Sequence, residues 1–304
     1  MVLTKLGVIG IGDIAKKAYL PVYAGLGEVD LHFFTRNNQT LSFLQNNYRF
    51  QHIHQNLQSL INSGIEGALV HSSTDSHFEI VEELLKNNIH VYVDKPITNK
   101  FESTRRLLEL ADKKNLILTA GFNRRFAPSY QKMKELSNPN MIVLQKNRSS
   151  LPDHIRTFVY DDFIHVIDTL LFLFPNPIEK IIVNGRKKEE LLYDVTVQFI
   201  SKNCTAIGIM NRDSGTTEEK LEVMSNTEKR IVHNVSEMII YKDMIESKFR
   251  QNDWEPTLHK RGFEQIVSNY IDTIHSKKDQ LITKKELLLT HEICELVVRE
   301  LEKL

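Results

Sequence analysis

Lys95 lies in the stretch VYVDKPIT (residues 91–98), and Asp161, His165 and Asp168 lie in YDDFIHVIDTLLFL (160–173). A lysine that is partly desolvated beside a cationic ring has its charged form disfavoured and can exchange a proton near neutral pH. The i, i+4, i+7 spacing of Asp161, His165 and Asp168 predicts one face of an α-helix with an imidazole between two carboxylates. A histidine flanked in this way shuttles a proton while it is held in one tautomer. The two stretches together offer general acid/base chemistry. Asp161 and Asp162 compete for the helix N-cap, and one of them has only that role. Asp168 reads as an orienting or structural group.

What such proton carriers would act with is suggested by GVIGIGDIA (7–15). The stretch joins a strand, Leu6 to Ile9, to a helix starting near Ile14. In that setting Gly10 allows a tight turn, Gly12 lets the backbone approach a pyrophosphate, and Ala15 stands where a third glycine packs helix on strand. Asp13 and Ile14 open the helix, whose free N–H groups face the phosphates. The ribose end is read about 20 residues later, where Thr35 and Arg36 bring no carboxylate to repel a 2′-phosphate and a guanidinium to grip one. NADP is therefore expected over NAD, or else Arg36 stacks on the adenine. Ser72, Ser73, Thr74 and His77, in HSSTDSH (71–77), either border the cofactor or cap the next helix.

These residues need a scaffold, and the hydrophobic pattern describes one. Over the first 120 residues, short apolar runs at 6–9, 31–34, 67–70, 90–93 and 116–120 alternate with helical stretches at 14–24, 40–47, 76–86 and 101–113. Alternation of this kind predicts βαβ units and a doubly wound parallel sheet. Lys95 then falls just past a strand, at the carboxyl edge of the sheet where such folds place ligands. In 76–86, Phe78, Val81, Leu84 and Leu85 form the predicted buried stripe. After Phe122 a helix over 161–174 is followed by short β-rich runs between 181 and 241 and two closing helices. We expect a Rossmann domain over 1–121 and, over 122–304, an α+β substrate and oligomerisation domain with an open, mostly antiparallel sheet. Helices on one side of that sheet would leave Val195, Val197 and Phe199 on an uncovered face, predicting a dimer or a tetramer of dimers.

Composition narrows the class. Lys plus Arg and Asp plus Glu are equal at 39 each, so no net positive field draws the chain onto nucleic acid or anionic lipid. The two cysteines, Cys204 and Cys294, have no ligand or disulfide spacing, and the remaining histidines show no metal-ligand spacing along the chain. The opening apolar run is too short and glycine-broken for a secretory leader. A cytoplasmic protein without metal, nucleic-acid or membrane partners is expected, acting on a small molecule.

Taken in order, HSSTDSH, VYVDKPIT, GFNRRFAPSY (121–130) and YDDFIHVIDTLLFL resemble the Gfo/Idh/MocA family of NAD(P)-dependent oxidoreductases. KNRSSLPDHIRTFVYDDFIHVIDTLLFL and WEPTLHKRGFEQ are similar to its MviM-like branch. The resemblance implies hydride transfer between a nicotinamide and an alcohol or carbonyl of a polyhydroxylated substrate. It implies Lys95, His165 and Asp161 as the acid/base set, a contact of Asp94 with the nicotinamide ribose, and a Pro96 turn that is cis. Asp94 is shorter than the family's usual Glu, and Phe163 replaces a small residue. Arg124 and Arg125 are expected in interdomain ion pairs. Lys146, Arg148 and Trp254 are candidates for binding substrate hydroxyls or an anionic group, or else are surface residues. Two other uses of such a fold are an NAD(P)-sensing regulator and redox-assisted glycoside cleavage with a retained cofactor.

Overall fold

Strands four to six residues long and almost wholly apolar can be buried on both faces only if helices cover both, and the computed structural model builds that arrangement. It describes residues 3–27, 29–249, 252–276 and 280–304. The first strands and helices are β1 (Thr4–Ile9), α1 (Leu20–Ala24), β2 (Val29–Phe34), α2 (Asn38–Phe43), β3 (His52–His54) and α3 (Leu57–Asn62). They continue as β4 (Gly67–Val70), α4 (Thr74–Lys86), β5 (His90–Val93), α5 (Phe101–Lys113) and β6 (Leu118–Ala120). All pairings in this sheet are parallel, in the order β3-β2-β1-β4-β5-β6, the doubly wound order of a dinucleotide-binding fold.

α4 shows how the sequence seats a helix. Its buried residues are His77, Val81, Leu84 and Leu85, one stripe at i, i+4, i+7 and i+8. Each aliphatic member contributes about 1.5–3 kcal/mol relative to exposure. His77 takes the innermost place expected for Phe78, which is half-buried beneath the Arg106 guanidinium. The three-residue β3 and the short α3 lie between the predicted second helix and third strand and are too brief to leave a periodic signal.

The second half contributes α6 (Pro128–Lys134), β7 (Met141–Asn147), β8 (Asp153–His154), α7 (Ile155–Thr157), α8 (Ile164–Leu173), β9 (Lys180–Lys188) and β10 (Leu191–Ile200). It continues with β11 (Thr205–Asn211), β12 (Glu218–Met224), β13 (Glu228–His233), β14 (Glu237–Lys242) and β15 (Ile245–Phe249). The chain closes with α9 (Thr257–Lys260), α10 (Phe263–Ser276) and α11 (Lys284–Leu301). The strands form a mixed sheet in which the β7–β11 pairing is parallel and the remaining pairings are antiparallel. By compactness, residues 1–121 with 266–288 form one unit and 122–265 with 289–304 the other. Most of α10 and the start of α11 belong to the first unit; the sequence reading assigns 122–304 to the second domain, with the last helix packing back on the first as the alternative.

The second sheet corrects one expectation. Val195, Val197 and Phe199 are fully buried, not uncovered. Gly208 explains why: a Cβ there would lie 2.7 Å from Val166 and 2.9 Å from Leu170, so α8 lies directly against this face. Strand alternation puts the opposite parity on the open face, where Ile182, Gln198, Ile207, Val143, Glu222, Ile231 and Ile239 follow one another across the strands. Period 2 separates two faces without saying which one meets the helix. Among the described residues no helix is long and apolar enough to cross a membrane.

Candidate functional site

In the first unit, β1 ends in a turn that only glycine can make. Gly10 has φ +82°, and a Cβ on it would lie 2.5 Å from the backbone nitrogen of Ser72. The turn after β1 thus touches the loop after β4, backbone on backbone. A Cβ at Gly12 would meet nothing within 4 Å, so that position faces open space. Beside the turn is a cavity of about 730 Å³ whose walls include Gly10, Gly12, Thr35, Arg36, Ser72 and Ser73. Ser76 and Glu79 of α4 and the buried His71 also contribute to it. A cradle with a tight glycine turn at Gly10 and open space at Gly12, between loops at the carboxyl ends of β1, β2 and β4, fits a dinucleotide. The chemistry that group supplies when bound is hydride transfer.

The remaining predicted cofactor contacts are placed differently. The Asp13 side chain is exposed and pairs with Lys17 at 2.8 Å, and Ile14 is 46% exposed. Neither residue is among the described walls of the cavity. Thr74 begins α4. His77 is buried, its Nδ1 2.9 Å from the Pro96 carbonyl and its Nε2 3.0 Å from the Ser72 carbonyl. Its role is to tie the cavity loop to the loop carrying Lys95. His71, which the sequence did not single out, lies 2.6 Å from the Tyr23 hydroxyl through Nε2, and its buried Nδ1 has no hydrogen-bond partner. Burial lowers its pKa to about 3, so the ring is neutral at physiological pH.

Lys95 follows β5, is half-buried, and is joined to Pro96 by a cis peptide bond. Its backbone N–H donates to Asp94 Oδ1 at 2.8 Å. Asp94 Oδ1 and the hydroxyls of Tyr92 and Tyr19 crowd the same point, 2.9, 2.9 and 3.1 Å from a Cβ built on Gly121. The Tyr19 and Tyr92 hydroxyls are themselves 2.8 Å apart. Burial raises the Asp94 pKa, partly opposed by Lys95. The short arm of Asp94 is thus engaged with this tyrosine pair and the backbone after β5.

In the second unit the helix carrying His165 is not α-helical throughout. Residues Phe158–Phe163 form a π-helical turn before α8. Hydrogen bonding from i to i+5 shifts the facing of side chains relative to an α-helix, and Asp161, His165 and Asp168, predicted on one helical face, differ in burial. Asp161 is exposed, His165 is 9% exposed and Asp168 is fully buried. Asp168 Oδ1 is 2.9 Å from Arg125 Nη2 and also accepts from the Thr290 hydroxyl at 3.2 Å. The inward place beside the predicted Asp161 belongs to Asp162.

Asp162 gathers cations. Lys146 Nζ donates to it, Arg148 Nε lies at 2.8 Å and Arg212 Nη2 at 3.4 Å. On the neighbouring strand Glu219, directly paired with Lys146 in register, accepts from Arg124 at 2.7 and 2.8 Å and from the Tyr130 hydroxyl at 2.7 Å. Burial and the nearby Arg124 lower the Lys146 pKa to about 7. Burial alone would raise Asp162, but Lys146 and Arg148 outweigh it and hold the carboxyl below the usual range. Glu219 follows the same balance with Arg124 and falls to about 2. Arg124 pairs with Glu219 and Arg125 with Asp168, partners that lie within the second unit, where the sequence predicts interdomain pairs. Buried guanidinium groups select carboxylates that the local strands and helices can deliver bidentately. Lys146 and Arg148, expected as substrate ligands, are engaged by Asp162, and Trp254 is 92% exposed. A charged residue on the inward parity of a strand was the available signal: Lys146 follows Ile142 and Leu144, Glu219 precedes Leu221 and Val223, and Arg212 follows Met210.

The geometry of a doubly wound cofactor fold followed by a mixed-sheet unit is shared with known proteins. Residues 4–122 match the GFO_IDH_MocA family, described as an oxidoreductase family with an NAD-binding Rossmann fold, and residues 128–243 match the YceM-like C-terminal domain. The chain belongs to the Gfo/Idh/MocA family of oxidoreductases. Among individual relatives, it is similar to the crystallised dehydrogenase MviM from Clostridium difficile, with 30% identity and a TM-score of 0.92 over 98% of this chain and 99% of that one. YceM of Salmonella typhimurium is 28% identical, with 97% of each chain covered. The myo-inositol 2-dehydrogenase of Thermotoga maritima is 26% identical over 55% of this chain and 51% of its own.

The buried Arg124–Glu219 pair makes a test of this charge network. Glu219→Gln is expected to cost about 3–5 kcal/mol at pH 7, because it leaves a buried guanidinium uncompensated. The Glu219 pKa falls from 4.5 to about 2 on folding. Its stabilisation is therefore complete above about pH 4.5 and is lost as pH falls through about 2. Urea unfolding of both proteins from pH 7 to pH 2.5 should show a wide gap that narrows at the acid end.

Proposed function

We propose that the protein is an NADP(H)-preferring dehydrogenase or reductase acting on a CH–OH or carbonyl group of a sugar- or polyol-like substrate. The observation that carries the cofactor part is the cavity wall itself. Thr35 and Arg36 follow β2 into the cavity with no carboxylate at that strand end, and Arg36 is exposed and able to reach a phosphate. Glu79 lies elsewhere on the wall, on α4. The substrate class is supported by relatives named myo-inositol 2-dehydrogenase and UDP-N-acetylglucosamine 3-dehydrogenase.

In this reading Lys95 and His165 hold and move the substrate hydroxyl proton. Asp161, exposed on the π-helical turn one residue before the buried Asp162, orients His165. The first unit positions the cofactor through the Gly10–Gly12 turn and the Ser72–Ser73 loop, and anchors Lys95 through the carbonyls that bracket His77. Two buried free thiols, Cys204 and Cys294, support a reducing, cytoplasmic location. The open face of the second sheet mixes Ile182, Ile207 and Ile239 with Glu222, which pairs with Lys220 and Lys229. An apolar face with internally satisfied charges supports association of two copies through it. Light scattering at micromolar concentration should give at least twice the chain mass, and a monomer would exclude this association.

Cofactor titration by fluorescence should show tighter binding of NADP(H) than NAD(H), with Arg36→Ala reducing the difference by weakening NADP(H) alone. Equal or tighter NAD(H) binding by the unmodified protein would remove Arg36 from the reading. Lys95→Ala and His165→Ala should each slow single-turnover hydride transfer by about 10²- to 10⁴-fold with little change in NADP(H) affinity. The double variant should lose less than the product of the two effects, as expected for groups serving one proton path. Full activity in either single variant removes that residue from the mechanism.

A further inference from the structure

Four side chains outside the cofactor cavity come together on one face of the β2–β3 edge. Asp30 and His32 are two apart on β2, His52 and His54 are two apart on β3, and the parallel register sets His32 directly beside His52. Period 2 turns all four the same way. His32 Nε2 is 3.1 Å from Asp30 Oδ2, and His52 Nε2 is 3.3 Å from Asp30 Oδ1. The His32 and His52 rings stack with centroids 4.5 Å apart and planes 11° from parallel, so both present Nε2 to the same carboxylate. We propose that Asp30, His32 and His52 form a binding site for a divalent transition-metal ion of the Zn²⁺ type.

Three features support a metal site over a hydrogen-bonded cluster. The two separations exceed the 2.7–2.9 Å of charge-assisted hydrogen bonds. They are close to the edge of a tetrahedron with metal–ligand bonds near 2.05 Å, about 3.3 Å. The ligand atoms of all three residues lie within 4.8 Å of one another. Second, His32 is provided with an outer partner. With Nε2 on a metal its Nδ1 carries the proton, 2.9 Å from His54 Nε2, and His54 Nδ1 continues to Ser59 Oγ at 3.1 Å. Ligating histidines are held by such second partners. Third, the burial is graded: His32 is buried, Asp30 is about a quarter exposed and His52 about half exposed, which leaves a path from solvent. Two imidazoles and one carboxylate suit zinc rather than calcium or magnesium, which take oxygen ligands. The fourth position falls to water.

Such an ion would cross-link the edge strand β3 to β2, the strand that leads to Thr35 and Arg36. Along the chain the ligands are separated by 20 residues, and D-x-H and H-x-H become a set only when β2 and β3 pair.

The test uses the full chain freed of metal by chelator. Titration with Zn²⁺ against a chromophoric indicator, and with Co²⁺ followed by visible absorption, should each give one equivalent per chain. Asp30→Asn and His52→Gln change the solvent-facing ligands and should each weaken Zn²⁺ at least about 10-fold, while His54→Gln should weaken it about 10- to 100-fold. His154→Gln, an exposed imidazole on β8, should leave uptake unchanged. Zn²⁺ should raise the melting temperature of the unmodified protein but not of His52→Gln. Circular dichroism in metal-free buffer identifies the folded variants, and having two solvent-facing substitutions guards against the loss of either. No uptake by the unmodified protein, or equal uptake by folded Asp30→Asn or His52→Gln, overturns the proposal.

Discussion

No side chain can occupy position 10, because its first carbon would lie 2.5 Å from the Ser72 backbone nitrogen. That contact between two loops sets the floor of the cavity and, through it, the place of everything around it. Ser72 and Ser73 reach the cavity wall because the chain after β4 runs against the turn after β1. His77 bridges the Ser72 carbonyl to Pro96, so the same loop is connected to the segment that carries Lys95. A left-handed φ at residue 10 is open to glycine at little steric cost, which is why a single residue type governs the geometry of several others.

The second unit is organised by a different constraint, the placement of charge in a covered sheet face. Lys146 and Glu219 are cross-strand neighbours on the same face as Leu144 and Leu221. A buried charge is tolerated only when paired and hydrogen-bonded, and each here has partners delivered by other elements: Arg124 and Tyr130 to Glu219, Asp162 to Lys146. The π-helical turn at Phe158–Phe163 is where the helix adjusts so that Asp162, not Asp161, points inward. It leaves Asp161 and His165 differently exposed, the one in solvent contact and the other nearly enclosed.

The first-unit sheet also shows why an edge strand can hold polar side chains on the face it shares with its neighbour. β1, β4 and β5 are covered on both faces, and their runs are apolar almost throughout. β3 is three residues long, pairs on one side only, and contributes two histidines to the face shared with β2. An edge strand has room for polar side chains because one flank stays in water.

The sequence by itself determined the doubly wound fold, the glycine turn and the carboxyl-edge position of Lys95, because each rests on local rules: apolar periodicity, a steric requirement at one residue, and the strand–turn–helix order. It also contained the ordered motifs that place the chain in its family. Tertiary structure alone decided which face of the second sheet is covered, since alternation marks two faces and α8 selects one. It decided that Asp162 is the inward carboxylate, since a π-helical turn leaves no mark in spacing, and that Arg124 and Arg125 pair with Glu219 and Asp168, 95 and 43 residues away. It brought Asp30 and His32 against His52, since strand pairing is a long-range choice. Local sterics and periodicity act within a few residues and can be read along the chain; the partner of a buried charge or an edge histidine is set by packing between segments far apart in sequence.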